Sequence, residues 1–384
     1  MTDTTLSSND TFLRDHRSPW LLLAHLPGLG ERRWQAILDH LPDPSELLTL
    51  DPASLRTIGL PPLARAAVLA WQQGDPEHPA MQDALACWQR LEAHTIDVIH
   101  WAQSDYPAAL RQIHGAPPVL YLKGRRDLLS RPQIAIVGSR NATRSGLDHA
   151  RQFARALAER GVVVTSGMAL GIDGAAHQGA LEAGGSTLAV LGTGVDVAYP
   201  AAHRRLAAAI PERGALLSEF PPGTRARAGH FPRRNRIISG MAQGTLVVEA
   251  GLRSGSLITA RLALEQGREI FAIPGSIHNP LARGCHQLIR QGATLVESVQ
   301  DIEEQLAAWG SAAAEPLPVD EEPDVPAHLG ADARTVFGAL AFDPCSTDDL
   351  CDRTGLSADV LLQAILMLEM EGLVLTVPGG YQRA

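Results

Sequence analysis

Residues 81–310 are predicted to form an α/β domain built on a parallel sheet, with a helical domain before it (1–80) and a small helix-and-ribbon domain after it (329–384). Three observations predict this. Short β-branched runs alternate with helical stretches from Ile96 to Ser298, the pattern of a parallel sheet with helices on both faces. The first segment carries apolar residues at helical spacing instead. Residues 311–328, SAAAEPLPVDEEPDVPAH, are rich in Ala, Pro and acids and read as a flexible linker.

In the first segment, Leu21, Leu22, Leu23 and Leu26 lead into Pro27-Gly28-Leu29-Gly30, and Trp34, Ile37, Leu38 and Leu41 follow at helical spacing. An apolar-Pro-Gly-apolar-Gly turn between helices is a helix-hairpin-helix signature, whose backbone N–H groups can meet a DNA phosphate. Gly28 and Gly30 are therefore candidate DNA contacts. A helical packing module uses the same turn, and both readings stand at this point.

The strand-like runs are Ile134–Gly138, Val162–Ser166, Thr187–Gly192, Ala215–Ser218, Thr245–Glu249, Glu269–Ile273 and Ala293–Val296, with Ile96–His100 as an edge. Helical stretches Leu147–Glu159, Ala175–Ala183 and Ser256–Gln266 lie between them. Beyond the linker, Arg334–Leu340, Thr347–Thr354, Ala358–Glu371 and Leu373–Tyr381 predict three helices and a β-ribbon, the order of a winged helix.

Charge is unevenly distributed. The chain has 384 residues and a net charge of −9, but residues 311–384 hold 13 acids and 3 arginines, a net of −10. Subtracted from the totals of 33 basic and 42 acidic residues, that leaves 30 and 29 in 1–310, a net of +1 with room for basic patches. Lys123 is the single lysine, so phosphate contacts fall to arginine. The start is polar, no apolar stretch is long enough to span a bilayer, and Cys87, Cys285, Cys345 and Cys351 lack metal spacing. A cytoplasmic protein with reduced thiols, no membrane insertion, no metal and no cofactor is expected.

Three Gly/Ser-rich turns each follow a predicted strand and open a predicted helix. They are Gly138-Ser139-Arg140, Ser166-Gly167 running on to Asp173, and Ser254-Gly255-Ser256. In an open parallel sheet such turns gather at the carboxyl ends of the strands, where free N–H groups and helix dipoles attract anions. The stretch Arg225–Arg236, RARAGHFPRRNR, holds five arginines and no acid. Phe231 among them is either a stacking surface for an unpaired base or a core anchor.

Enzyme motifs are missing. No Gly-Lys-Ser/Thr loop occurs, Gly192-Thr193-Gly194 lacks the third dinucleotide glycine, and neither HExxH nor GxSxG is present. Asp173, Asp196, Glu219 and Glu249 sit at strand ends; acids there more often cap helices or accept from loop amides than catalyse. No catalytic residue is assigned.

In order along the chain stand IAIVGSRNATRSG, SGMALGIDGAAHQGAL, AVLGTGVDVAYP, LLSEFPPGT, HFPRRNRIISGM, VVEAGLRSGSLITARLALEQGREIFAIPG and GCHQLIRQGA. Together they resemble the DNA-processing protein A (DprA/Smf) family. The resemblance implies an extended Rossmann-like parallel-sheet domain with an N-terminal helical, sterile-alpha-motif-like (SAM-like) domain and a C-terminal winged-helix domain. It implies single-stranded DNA binding and protection, loading of the recombinase RecA during natural transformation, and a homodimer through the Rossmann-like domain, without enzymatic turnover. Carried over by position, the DNA pocket uses Gly138, Ser139, Arg140, Ser166, Gly167, Phe231, Arg234, Asn235, Arg236, Gly255 and Ser256. Many family members place a basic residue where this chain has Ala228, which makes Arg225 and Arg227 further candidates. The acidic C-terminal domain is expected to contact protein rather than DNA. The same fold class includes nucleotide-hydrolysing phosphoribohydrolases with a PGGxGTxxE motif. SGSLITA stands at the comparable turn here, and that enzyme class is the alternative.

Overall fold

The computed structural model describes residues 8–41, 43–306, 329–340 and 344–383. The chain divides into two compact units, Met1–Gly310 and Ser311–Ala384. The expected linker, 311–328, lies outside the described residues.

The first unit is organised by one sheet. Its strands are β1 (Asp97–His100), β2 (Val119–Gly124), β3 (Gln133–Val137), β4 (Val163–Ser166), β5 (Thr187–Val190), β6 (Ala215–Ser218), β7 (Gly244–Val247), β8 (Glu269–Ala272) and β9 (Thr294–Leu295). Their order is β1-β2-β6-β5-β4-β3-β7-β8-β9. All neighbours from β6 to β9 are parallel; β2 is antiparallel to both β1 and β6. The eight expected strands are present to within a few residues, and β1 is the edge the sequence suggested. β2 was not expected, although Val119-Leu120-Tyr121-Leu122 is a short apolar run between Pro118 and Gly124.

Strands β3 to β7 are buried along their length, because helices cover both faces. Alternation sorts β3 accordingly. Ala135 and Val137 face a core with Ile237, Ile238 and Ala260, while Ile134 and Ile136 face Phe153, Leu157 and Ala176. The helices Arg144–Glu159 and Ile172–Glu182 approach closely at Gly179, where a Cβ would overlap the Arg151 backbone.

The N-terminal helices do not build a separate core. Trp20, Leu21, Leu22, Leu23, Trp34 and Ile37 form one buried cluster with Met81 and Leu91, and with Tyr121, Ala189 and Leu216 of the sheet unit. The boundary expected after residue 80 is therefore bridged by shared apolar burial. Gly28 takes φ +77 in the turn between the helices Ser18–Ala24 and Glu31–His40, a backbone state that favours glycine.

The second unit has helices Ala331–Ala339, Thr347–Thr354 and Ala358–Met370 and a ribbon of β10 (Val374–Val377) and β11 (Gly380–Arg383). Val336, Leu350, Leu361, Ile365 and Leu368 fill its core. It is a winged helix, as expected. Among the described residues no helix is long and apolar enough to cross a membrane. Among them, too, no group of three or more His, Cys, Asp and Glu could hold a metal ion.

Candidate nucleic-acid interface

The strand order reverses between β3 and β7, and ligands of open α/β sheets sit outside the carboxyl ends of the strands at such a switch point. A cleft of about 860 Å³ lies there. The turn after β3 supplies Gly138, Ser139 and Arg140; the loop after β7 supplies Arg253, Ser254, Gly255 and Ser256. The turns interlock. The Ser139 N–H donates to the Glu249 carbonyl at 2.7 Å and the Ile172 N–H to the Ser139 carbonyl at 3.2 Å. A Cβ at Gly138 would come within 2.9 Å of the Glu249 carbonyl, so only glycine closes this crossing.

The second half of the basic stretch is helical. His230–Met241 is a helix, with Pro232 in its first turn, where no N–H is required of it. Helical period then sorts its side chains. Phe231, Arg234, Asn235 and Ile238 line the cleft. Arg233 and Arg236 go instead to the buried Glu219. Arg236 donates Nη1 and Nη2 to its two carboxylate oxygens at 3.1 and 3.0 Å, and Arg233 Nη2 lies 2.6 Å away. Arg236, expected in the DNA pocket, is thus a buried structural ion pair outside the cleft lining.

Arg234 is 4% exposed. Its Nη1 donates to the Val190 carbonyl at 2.7 Å, while its buried Nε has no hydrogen-bond partner among the described residues. Burial pulls its pKa down to about 10, opposed by nearby Asp173, so it stays charged at neutral pH. The Asp173 carboxylate accepts from the N–H groups of Gly167 (3.1 Å) and Ala169 (3.3 Å). Burial pushes its pKa up, against the pull of Arg234. Gly167 separates the two, and a Cβ there would overlap the Arg234 guanidinium. Ser166 is fully buried, donating to the Ile136 carbonyl at 2.6 Å. Ser166 and Gly167 therefore support the cleft from behind and do not line it.

Phe231 is half-buried. Its ring is seated on Gly192, leans on Tyr199 with centroids 5.4 Å apart, and has the Arg140 guanidinium 6.0 Å from its centroid. It is both anchor and cleft wall. Arg140 and Arg227 are exposed and line the cleft; Arg225 is exposed and does not. Gly28 and Gly30 stand in the turn between the N-terminal helices and are not part of the lining.

Sequence reasoning missed Tyr199, Asn141 and Arg253, all in the lining; the signal for Tyr199 was an aromatic in the Gly-rich loop that follows the expected strand Thr187–Gly192. Among the described residues, four arginines (Arg140, Arg227, Arg234 and Arg253) and one carboxylate, Asp173, line the cleft. Past Arg140 and Asn141 a second groove of about 650 Å³ continues, bearing Arg151, His203 and Arg205 and, among the described residues, no carboxylate. Such surroundings favour a polyanion.

The remaining strand-end carboxylates are engaged elsewhere. Glu249 accepts from the Thr143 N–H (2.9 Å) and hydroxyl (2.6 Å), fixing the start of the helix Arg144–Glu159. Asp196 accepts from the Gly223 N–H at 2.8 Å and pairs with Arg90.

Fold and cleft define a Rossmann-like protein with an arginine-lined cleft at the sheet's switch point. Residues 97–307 match the DNA recombination-mediator protein A family, and 315–380 match the DprA winged helix domain. The chain belongs to the DNA recombination-mediator protein A (DprA/Smf) family. It is 42% identical to Protein Smf of Escherichia coli (strain K12) over 309 residues, 77% of this chain and 79% of that protein. It is 50% identical to the DNA processing protein DprA of Streptococcus pneumoniae over 197 residues, 51% of this chain and 70% of that protein. The X-ray structure of the S. pneumoniae DprA matches with a TM-score of 0.65 at 36% identity, covering 78% of this chain and 98% of that one. DprA from Helicobacter pylori, whose structure concerns its single-stranded DNA binding mode, matches with a TM-score of 0.50 at 29% identity, covering 56% and 96%.

Proposed function

We propose that this chain binds single-stranded DNA in the cleft at the β3/β7 switch point, protects it, and hands it to the recombinase RecA during natural transformation. It acts in the cytoplasm by binding, without turnover. The observation that carries this is the cleft itself: among the described residues four arginines stand against one carboxylate, beside a Phe231–Tyr199 aromatic wall, and the buried Nε of Arg234 has no hydrogen-bond partner among them. Phosphates take the arginines, Gly138, Ser139 and the Ser254–Ser256 turn, and an unpaired base lies against the aromatics. Arg225 stays outside, Arg227 takes the place left by Ala228, and Arg236 holds the helix. The strand continues past Arg140 into the second groove, toward Arg151 and Arg205.

Homodimerisation is proposed through the side of the domain that carries the edge strand β9, where Leu295 is exposed, with the exposed Leu252 and Leu264 around the helix Ser256–Glu265 as further apolar surface. An exposed apolar patch and an open strand edge both favour a partner. The C-terminal winged helix is a protein-contact module.

Titrating labelled single-stranded and duplex oligonucleotides against salt tests the central claim. Tight single-strand binding that falls steeply with salt is expected; equal affinity for duplex would overturn it.

A further inference from the structure

A winged helix that reads DNA offers a basic helix to the groove or to phosphates. The third helix of the C-terminal unit, Ala358–Met370, offers the opposite. It contains no Lys or Arg, and its outward side chains Val360, Leu362, Leu366, Met367 and Met370 are exposed, Met370 at 82%. Apolar exposure on this scale within one small unit is unusual for a surface with no partner.

Part of that apolar surface is shaped. Between this helix and the start of the helix Ala331–Ala339 runs a groove of about 490 Å³. Leu329, Ala333, Val360, Ala364, Met367 and Met370 give it an apolar floor, and Asp332 and Glu371 stand on its rim. Among the described residues no Lys or Arg lines it. Methionines adapt to irregular partners at little cost, and a helix laid in an apolar groove is read through side chains at i, i+3, i+4 and i+7.

We propose that this groove is a docking site for an amphipathic helix of a partner protein, one with an apolar stripe flanked by Lys or Arg. Charge complementarity selects this occupant. Asp332 on the rim attracts a basic flank, and the surrounding unit adds Asp348, Asp349, Asp352 and Asp359 against few arginines. The same acids disfavour a second copy of the unit, since Asp359 and Glu369 recur on both helices, and they repel DNA. The inference rests on the protein-contact role given to the C-terminal unit and is independent of the DNA cleft.

The six methionines provide the test. Met81, Met168 and Met241 are buried in the first unit, whereas Met367 and Met370 line the groove. In the full chain labelled with 13C-methyl methionine, a synthetic amphipathic Leu/Lys helical peptide should shift the Met367 and Met370 signals saturably and leave the buried three in place. Its Leu/Glu counterpart should not. Met370→Glu and, separately, Asp332→Lys should each weaken the peptide about tenfold, the loss of one apolar anchor or one charge contact. No shift with the Leu/Lys peptide overturns the proposal, as do equal shifts with both peptides or shifts on protein concentration alone. Shifts of the same signals with duplex DNA would overturn the protein-contact role as well, which separates the two failures.

Discussion

Arg236 and Glu219 exchange two hydrogen bonds, at 3.1 and 3.0 Å, on the face of the helix His230–Met241 turned away from the cleft. Both are buried; loss of Glu219 would strand the Arg236 charge in the interior, whereas loss of Arg236 leaves Glu219 with Arg233 as its remaining partner, 2.6 Å away. Arg236→Met should therefore cost about 1.5–3 kcal/mol of stability, the range for lost hydrogen bonds to a charged group that keeps another cation, read as a fall in the urea midpoint. Any loss of DNA affinity should appear only together with that instability. A stable Arg236→Met protein that no longer binds DNA would return Arg236 to the pocket.

Arg140 and Arg227 are exposed on the cleft wall, so their removal should act on binding and not on folding. Arg140→Ala and Arg227→Ala should each lower single-strand affinity and flatten the log–log salt dependence by about 0.7, the share of one phosphate contact. Arg225→Ala should leave both unchanged. Equal effects for Arg225 and Arg227 would mean that the whole segment merely contributes diffuse charge.

How the arginines divide was only partly legible in the sequence. The run from Arg225 to Arg236 announced a basic element, and the Gly/Ser turns announced the switch-point cleft. The helix His230–Met241 stayed hidden because its apolar residues are few before Ile237 and because Pro232 looks like a breaker. In the first turn, however, proline breaks no hydrogen bond. Nor does local pattern reveal that Glu219, 17 residues from Arg236, folds beneath it. The strand β2 escaped for a related reason: it joins the sheet antiparallel, outside the β-α alternation that exposed the others.

The second groove predicts a dependence on length. An oligonucleotide of about four nucleotides, the low end for one single-strand site, should fill the first cleft alone. An Arg151→Ala/Arg205→Ala variant should bind it like the unchanged protein, but bind a strand of about twelve nucleotides more weakly and with a flatter salt slope. Identical affinities for both lengths would confine the strand to the first cleft.

His177 makes stability depend on acid. It is fully buried on the helix Ile172–Glu182. The Thr187 hydroxyl donates to the Val164 carbonyl at 2.6 Å, so the His177 Nδ1–H donates to Thr187 Oγ1 at 2.7 Å and the ring is neutral. Burial lowers its pKa from 6.5 to about 3, with His203 and Arg234 adding repulsion. The unfolded chain therefore binds a proton between those values that the folded chain refuses. This contribution is fully present above pH 6.5 and falls by up to about 1.4 kcal/mol per pH unit on acidification toward pH 3. Urea midpoints across pH 4–7 should be flatter for His177→Gln than for the unchanged protein; parallel curves would remove His177 as the source.

Removing the C-terminal unit tests the division of labour between the two halves. Residues 311–384 carry a net charge of −10, against +1 for the rest, and the helix Ala358–Met370 has no basic residue to offer a phosphate. At physiological salt, screening over about 8 Å confines such charge to its own neighbourhood, while at low salt its repulsion reaches farther. A chain truncated after Trp309 should therefore keep its single-strand affinity at physiological salt and bind slightly more tightly at low salt. It should lose the peptide response of the winged helix altogether. Should the truncated protein stay folded and dimeric yet lose most of its DNA affinity, the winged helix would have to be a DNA contact despite its charge.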